Sequence, residues 1–422
     1  MKILVYGINY APELTGIGKY TAEMAETLGA SGHEVRVLCA PPYYPQWHVA
    51  KGFSGYRYAT EHRNRVRVWR APLWVPSRPK GARRIAHLAS FAISSMPVLL
   101  GHALWRPDVV MCIAPSLLNA PSALLVARLT GAHAWLHVQD YEVDAAFSLG
   151  MLKGSVLKKA ALALERLLLT RFDSVSTISA KMLEHALRKG VDSRKVVRFS
   201  NWADTGSIFP LKRTSRLRES LKIPETATVV LYSGNMGAKQ GLDVLATAAV
   251  KRSSRSDLVF VFCGNGPARE EMTALCGSLP TCRFIDLQPV EQLNELLNLA
   301  DIHVLPQRAD AADLVMPSKL TGMFASGRAV IAMANPDTEL YDAVSPRGVV
   351  VPPGEPDLLA AAIDRLASEA EERARLGTAG REFAQTELSR DAVLREFERV
   401  LCERCQAGGA RVAASKARHP DF

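Results

Sequence analysis

The sequence predicts an α/β protein of two domains, each with a parallel sheet whose strands are connected by helices. The 422 residues exceed what a single hydrophobic core usually holds. Short apolar runs alternate with helical patterns, stop in a polar, proline-containing stretch at 203–226, and restart at Thr228. We therefore assign 1–202 to an N-terminal domain, 203–226 to a linker, 227–390 to a C-terminal domain, 391–406 to a last helix packing back on the N-terminal domain, and 407–422 to a disordered basic tail.

The composition is that of an ordinary globular protein, with 48% hydrophobic and 22% charged residues. The net charge of +10 favours an acidic partner such as nucleotide, phospholipid or nucleic acid. The seven cysteines are scattered and odd in number, which fits reduced thiols in a cytoplasmic protein. The N-terminus reads as a strand rather than a signal peptide, and no unbroken apolar run of about 18 residues occurs, so we expect a soluble or peripheral protein.

The first strand is followed by a loop, residues 8–18, and then by a helix, residues 19–30. The loop contains Gly16 and Gly18 and lies at the carboxyl end of the strand, where such sheets bind ligands. A dinucleotide-binding GxGxxG motif would need a third glycine at Thr21, so we set a dehydrogenase aside. The two glycines form either a flexible turn or a close backbone approach to a ligand.

A basic segment precedes a long apolar helical pattern in the N-terminal half. Its charged residues are Arg78, Lys80, Arg83 and Arg84. Basic residues beside apolar ones suit the surface of an anionic membrane. A core helix with a solvated basic start is the alternative.

A polar group follows the second of two buried strands, predicted at 107–115 and 132–138. His137 and Asp140 stand there, three residues apart. They could polarise a hydroxyl group or orient each other, which makes them candidate catalytic residues. A buried, hydrogen-bonded histidine is the alternative.

Glycine-bearing loops also end the strands of the second half. After the strand at 228–232 come Gly234, Asn235 and Lys239, a plausible phosphate clamp of backbone amides and a mobile ammonium. The loops after the next strands add Gly264, Asn265, Gly266 and Leu287. Glycines there would admit a base or ribose close to the backbone, or else form a tight turn.

Residues 300–332 predict a strand, a loop, a helix and a second strand. Pro317 suits the first turn of the helix, and the amides of Ser318, Lys319 and Leu320 would then point out of its end. Together with the Lys319 ammonium, that end could hold a phosphate or pyrophosphate. An ordinary capped helix is the alternative.

These motifs, in this order, resemble the retaining glycosyltransferases of family 4. The resemblance rests on His137, the Ser-Gly-Asn loop with Lys239, the Gly-Asn-Gly loop and the segment PSK...ASGRAVIA, and it covers nearly the whole chain. The opening, MKILVYGINYAPELTGIGKYTAEMAE, is similar to the colanic acid biosynthesis glycosyltransferases of bacterial exopolysaccharide clusters. The resemblance implies two Rossmann-like α/β domains that face each other across a cleft, the GT-B type.

The resemblance also implies roles for the residues. The donor pyrophosphate would be held by Lys239, by the amides of 318–320 and by the loop at 16–18, and His137 would lie near the transferred sugar and the acceptor. The base would sit near residues 264–266 and Leu287. The mechanism would be a front-face displacement without a protein nucleophile. No cofactor is implied, and no metal either, because no carboxylate pair such as DxD stands at a strand end.

One departure from the family concerns two glutamates with seven residues between them, the second of which binds the donor ribose. Counting from Gly327, their positions hold Leu314 and Gly322. Asp313 is the nearest substitute.

We therefore expect a cytoplasmic, peripheral membrane enzyme that moves a sugar from a nucleoside diphosphate sugar to a lipid-linked oligosaccharide. The expected partners are the donor, a lipid-linked saccharide acceptor and the inner-membrane surface through the basic segment at 78–84, and no nucleic acid. GDP-fucose is preferred over UDP-glucose, UDP-galactose and UDP-glucuronate by resemblance. A nucleotide-sugar 2-epimerase on the same fold and a non-catalytic scaffold of a polysaccharide assembly complex are the alternatives.

Overall fold

The computed structural model describes residues 1–13, 16–77, 81–115, 117–141, 143–144, 155–237, 240–309 and 317–418. The chain divides into two compact units. Unit 1 consists of Met1–Ser200 with Leu394–Phe422, and unit 2 of Asn201–Val393. Each is an α/β domain on a largely parallel sheet, so the predicted fold class of two Rossmann-like domains is confirmed.

The sheet of unit 1 has eight strands. They are β1 Lys2–Tyr6, β2 Glu34–Cys39, β3 Ala59–Arg63, β4 Val66–Arg70, β5 Val109–Ala114, β6 His133–Val138, β7 Ser174–Thr177 and β8 Val196–Arg198. Their order is β3-β4-β2-β1-β5-β6-β7-β8, and only β3 pairs antiparallel with its neighbour. Every residue of β5 is buried, as expected of a strand covered on both faces. The sequence did not predict the β3–β4 hairpin, because β3 is polar and mostly exposed.

The sheet of unit 2 has six strands, all parallel. They are β9 Thr228–Ser233, β10 Leu258–Cys263, β11 Cys282–Ile285, β12 Ile302–Leu305, β13 Ala329–Met333 and β14 Val349–Val351. Their order is β11-β10-β9-β12-β13-β14. Successive strands extend from β9 to β11 on one side and from β12 to β14 on the other, so the strand order reverses between β9 and β12. The carboxyl ends of the strands at such a point are where a doubly wound sheet binds ligands.

The helices in the described part of the chain are α1 Gly16–Ala30, α2 Ala82–Gly101, α3 Ala120–Thr130, α4 Ser155–Arg171, α5 Ala180–Arg188, α6 Arg216–Ser220, α7 Leu242–Lys251, α8 Arg269–Cys276, α9 Leu293–Leu299, α10 Lys319–Ala325, α11 Glu339–Val344, α12 Pro356–Ser368, α13 Ala370–Thr386 and α14 Arg390–Arg418. Helix α5 begins where the Ser179 hydroxyl accepts the Met182 N–H, an ordinary N-cap.

Helix α14 packs on unit 1. The Phe397 ring stacks on Phe199 with centroids 3.8 Å apart, and a Glu398 carboxylate oxygen lies 3.0 Å from His33 Nε2. The helix continues to Arg418, where the sequence analysis had placed its end at residue 406 and a disordered tail at 407–422. Alanine, arginine and lysine dominate this extension and are strong helix formers, which explains the longer helix.

The predicted linker, 203–226, packs against unit 2 rather than standing apart. The buried Arg218 guanidinium donates to Ala227 O at 2.9 Å and contacts the Asp301 carboxylate at 3.1 Å. Ile208 lies in the same apolar cluster as Phe324. The polar sequence of this segment therefore reflects exposed positions on a packed connection.

One helix in the described residues, Ala82–Trp105, is long and apolar enough to cross a membrane by length and composition. The sequence contains no unbroken apolar run of this length because serine, histidine and proline interrupt it, but these residues leave the mean hydropathy at 1.4. One side of the helix is buried in unit 1, with Phe91 and Leu99 fully covered.

Candidate functional site

Two glycine-bearing loops of unit 2, which follow β9 and β10, are hydrogen-bonded to each other. Met236 N–H donates to Asn265 O at 2.9 Å, and Ala268 N–H donates to Met236 O at 3.0 Å. Because β9 and β10 are parallel neighbours, their loops meet at one edge of the sheet. The structure therefore brings together the predicted residues Gly234, Asn235, Gly264, Asn265 and Gly266.

The close approach of these loops requires glycine at two positions. A Cβ at Gly264 would lie 1.9 Å from Gly234 O, and one at Gly266 would lie 2.5 Å from Met236 O. Both glycines also have positive φ angles, 155° and 148°. Neighbouring backbone lies on the Cβ side of both glycines, so the packing of the two loops against each other by itself requires glycine there.

The side chain of Lys319 reaches from the start of α10 to the first of these loops. Its Nζ donates to the Tyr232 hydroxyl at 3.1 Å and lies 4.1 Å from the centre of the Tyr232 ring. That hydroxyl donates in turn to Asn235 O at 2.6 Å. A Cβ at Gly234 would lie 3.5 Å from Nζ, so the amine is within van der Waals distance of this glycine.

The Lys319 amine is held with little electrostatic compensation. Burial lowers its pKa from 10.5 to about 7. Within the described ranges of the chain, no carboxylate contacts Nζ. A bound anion would supply the missing negative charge and favour the ammonium form, so this place can bind phosphate groups.

The helix end beside Lys319 is less open than the sequence predicted. The Ser318 side chain makes no capping hydrogen bond, and Leu320 N–H donates to Pro317 O at 3.1 Å. The Leu320 amide is therefore not free for an anion, because the first turn closes on it. The lysine side chain is the feature that reaches the glycine loop.

Arg269 organises the second loop. Its Nη1 donates to Gly264 O at 3.2 Å and contacts the side-chain oxygens of Asn265 and Asp286. The side chain of Leu287, predicted to lie near the base, is 45% exposed. Asn265 is thus oriented by arginine, and Leu287 offers an apolar surface at the same edge of the sheet.

In unit 1, His137 lies at the end of β6 and is 2% exposed. Its Nδ1 is 2.9 Å from the Ser176 hydroxyl, which also accepts the Trp135 indole N–H at 2.8 Å. Burial lowers the His137 pKa to about 3, so the ring is neutral at pH 7. The hydrogen-bond partner of His137 Nδ1 is therefore Ser176, whereas the sequence analysis had considered Asp140.

Asp140 follows β6 and lines a small pocket of unit 1. Val138, Tyr141 and Glu165 line the same pocket. Glu165 is 3% exposed and paired with Lys189, and burial raises its pKa. The pocket thus brings two carboxyl groups to the carboxyl edge of the sheet.

The loop with Gly16 and Gly18 is held by a carboxylate that the sequence analysis missed. Glu13 is 5% exposed and accepts N–H groups from Tyr43 at 3.0 Å and from Asn9 Nδ2 at 2.9 Å. A Cβ at Gly18 would lie 2.7 Å from Glu13 Oε2. Gly18 is therefore needed for packing against Glu13, and Gly16 begins α1 with a φ angle of 61°.

No group of three or more histidine, cysteine or acidic side chains that could hold a metal ion occurs within the residues that the structure describes.

Tyr232, like Glu13, is a site residue that the sequence did not predict. A tyrosine one residue before the end of a buried strand, next to a Gly-Asn turn, is the signal that could have identified it.

Comparison with known proteins assigns the family. The Glycosyl transferase 4-like domain matches residues 15–202, and Glycosyl transferases group 1 matches residues 214–383. WcaI of Escherichia coli K12, named as a glycosyl transferase of colanic acid biosynthesis, is 42% identical over 407 residues, 94% of this chain and 98% of WcaI. The chain belongs to this glycosyltransferase family.

Other relatives of this glycosyltransferase agree with that assignment. A GDP-mannose-dependent alpha-mannosyltransferase of Mycolicibacterium smegmatis is 26% identical over 285 residues, 67% of this chain and 68% of that protein. Sucrose-phosphate synthase from Thermosynechococcus elongatus has a TM-score of 0.74 at 17% identity, over 96% of this chain and 100% of its own. Anabaena HepE with UDP and glucose has a TM-score of 0.69 at 12% identity, with the same coverage. These structures support the GT-B type of fold.

Two predicted donor-binding residues of the glycosyltransferase, Lys239 and Asp313, lie outside the described residues. The position of the second family glutamate, Gly322, is described. A Cβ there would lie 3.3 Å from Leu297 Cδ1 and 3.7 Å from Ile208 Cδ1. A glutamate at 322 would start among apolar side chains, which is consistent with its replacement by glycine in this chain.

Proposed function

We propose that this glycosyltransferase takes its sugar from a nucleoside diphosphate sugar and transfers it, with retention at the anomeric carbon, to a lipid-linked oligosaccharide of the colanic acid type. The assignment of the donor rests on the Lys319 amine. It lies beside the glycine loop, and no carboxylate among the described residues pairs with it. The relatives that use GDP-mannose or are bound to UDP support the same class of donor.

In this proposal, catalysis comes from stabilising the departing diphosphate. The bond between the anomeric carbon and the phosphate oxygen breaks, and its electron pair stays on that oxygen. The Tyr232 hydroxyl orients the Lys319 amine. In its ammonium form this group would stabilise the negative charge that develops on the diphosphate. Lys239 and the amides of Ser318 and Lys319 are proposed as further contacts to the diphosphate.

The acceptor hydroxyl would attack the same face from which the diphosphate leaves, and its proton would pass to the leaving phosphate oxygen. His137, with a pKa of about 3, is too weak a base to take that proton at neutral pH. We assign it instead a hydrogen bond to a sugar hydroxyl. Asp140, at the end of the same strand, is the proposed carboxylate near the acceptor.

The base would contact the loops at 264–266 and Leu287, and Asp313 would be the nearest carboxylate to the ribose. Guanine is the base that we expect, with GDP-fucose as the donor. No cofactor or metal takes part in this proposal. The two alternatives, an epimerase and a scaffold, receive no support from relatives that are named as transferases.

Calorimetric titration with GDP, UDP and ADP tests the donor half. We expect one of the three to bind the wild type and to lose most of its affinity in Lys319→Met. The matched control is Lys251→Met. Lys251 is an exposed lysine of the same unit, it pairs with Asp357 on the surface, and it has no proposed part in donor binding. If no diphosphate binds the wild type, the donor class is wrong.

Transfer of labelled sugar into a membrane lipid fraction, with and without saccharide lipid, tests the acceptor half. The anomeric configuration of the product, measured by NMR coupling, tests retention. Sugar transfer to water-soluble saccharides alone would contradict a lipid-linked acceptor.

A further inference from the structure

Helices α2, α3 and α4 of unit 1 lie side by side, since α3 contacts both of the others. The outward side of this layer is apolar. Its exposed apolar residues are Ile85, Ile93, Leu100 and Leu104 in or just after α2, Leu125 and Leu129 in α3, and Leu164 and Leu167 in α4. Leu104 is 90% exposed and Ile93 72%, so these side chains are not covered by the described parts of the protein.

The exposed charges of the same layer are basic. Helices α2 and α3 contain no aspartate or glutamate, and the one carboxylate of α4, Glu165, is buried and paired with Lys189. The exposed cations of the layer are Arg83, Arg128, Lys158, Lys159, Arg166 and Arg171. By contrast, α1, α5 and α14, elsewhere in unit 1, each carry acidic residues.

We propose that these three helices form a docking face for a bilayer of anionic lipid, with α2 lying in the plane of the membrane interface. A nucleic acid would match the cations but would leave Ile93 and Leu104 in water, and an acidic protein would need apolar side chains opposite them as well. An anionic bilayer matches both, because the apolar side chains enter the acyl boundary while the cations meet the headgroups. The inference rests on the proposed function in one respect, since a lipid-linked acceptor would be presented at such a surface.

The packing of α2 favours lying on the membrane over crossing it. Phe91 and Leu99 are fully buried against unit 1, and the Ser95 hydroxyl lies 2.7 Å from the Tyr6 hydroxyl of the central strand β1. A helix of 20 residues is about 30 Å long, enough to span, but spanning would expose this inner side and break the contact with the sheet.

Flotation with vesicles of phosphatidylglycerol and phosphatidylcholine tests the docking face. The full chain is expected to float with these vesicles, and to float less with phosphatidylcholine alone. Ile93→Asp and Leu104→Asp should each weaken vesicle binding about tenfold, because each places a carboxylate in the acyl boundary next to anionic lipid. Leu358→Asp, equally apolar and 48% exposed but in unit 2, is the matched control and should float like the wild type.

Two results would overturn the inference: a wild type that stays at the bottom of the gradient, or flotation of both aspartate variants at the wild-type level. Sedimentation showing a wild-type dimer that Ile93→Asp dissociates would assign the face to a second copy instead. Calorimetric binding of the nucleoside diphosphate is expected to be unchanged in Ile93→Asp. Flotation and diphosphate binding can therefore fail independently, which separates this inference from the proposed function.

An Ile93→Trp variant distinguishes an α2 helix that lies in the plane of the membrane interface from one that spans the membrane. The quenching of this variant in excess of that of the wild type, which has six tryptophans of its own, should be stronger with lipids brominated near the headgroup than with lipids brominated near the chain end. The reverse order would contradict the in-plane placement of α2.

Discussion

The strand ends of the two units carry opposite chemistry on the same kind of sheet. In unit 2, a lysine amine with a lowered pKa lies over a glycine turn. In unit 1, the corresponding edge carries Glu13, Asp140 and a neutral histidine, His137. The difference suggests that unit 2 is suited to an anion and unit 1 to hydroxyl groups. Loops at strand ends, rather than the sheets, determine the ligand chemistry.

The largest expected effect comes from removing the cation of unit 2. Lys319→Met should reduce kcat/KM for sugar transfer by about 100-fold or more, because a positive group near the leaving diphosphate is lost. The thermal midpoint should stay the same or rise, since the variant no longer buries an amine. Steady-state kinetics and thermal unfolding measure both. Turnover within twofold of the wild type would remove Lys319 from the mechanism and with it the contrast between the units.

A second prediction compares how the two units use their glycines. Gly264→Ala should cost about 3 kcal/mol or more of unfolding free energy, because the new Cβ meets the Gly234 carbonyl of another loop. Gly18→Ala should cost less, about 1–2 kcal/mol, because its Cβ meets Oε2 and Cβ of Glu13 at 2.7 and 2.9 Å, whereas the Cβ at Gly264 meets a backbone oxygen at 1.9 Å. Denaturant unfolding measures the difference.

The control for both glycine variants is Gly101→Ala, since nothing lies within 4 Å of a Cβ at that position and its φ angle is helical. We expect it to be neutral or slightly stabilising. Equal losses at Gly264 and Gly18 would show that the Glu13 loop is as rigid as the backbone contact in unit 2.

A third prediction uses the pKa of Lys319, about 7 in the free protein. A bound diphosphate favours the ammonium form and raises this pKa, so binding above pH 7 takes up a proton and the affinity should fall by about tenfold for each pH unit there. Calorimetry at pH 8 in two buffers of different ionisation enthalpy measures the proton uptake. In Lys319→Met, the proton uptake by this amine should be absent. If this variant takes up as many protons on binding as the wild type, a group other than Lys319 accepts the proton.

The smallest effect is expected in unit 1. His137→Gln should lower the transfer rate roughly fivefold, the equivalent of one neutral hydrogen bond. Because the His137 pKa is about 3, the wild-type rate profile should show no ionisation of this residue between pH 5 and 8. A rate profile with an apparent pKa near 6.5 that disappears in His137→Gln would make the histidine a general base and contradict the neutral assignment.

The sequence predicted much of the fold because most strands of a parallel sheet are short continuous apolar runs, as in β5 and β10. It missed β3, whose residues are polar and exposed, and it ended α14 too early. In the site, it predicted Gly234, Gly264 and Lys319 from their positions at strand and helix ends. It missed Glu13 and Tyr232, since their long-range partners, Tyr43 and Lys319, lie on other elements.

The sequence by itself determined the two α/β halves, the family and the candidate residues at the strand ends, because local periodicity and motif order are written along the chain. Only the tertiary structure decided which of these residues meet. Lys319 reaches Tyr232 across 87 residues of sequence, and Tyr43 donates to Glu13 across 30. Burial, and with it the lowered pKa values of Lys319 and His137, depends on what packs around a side chain, which no local pattern specifies.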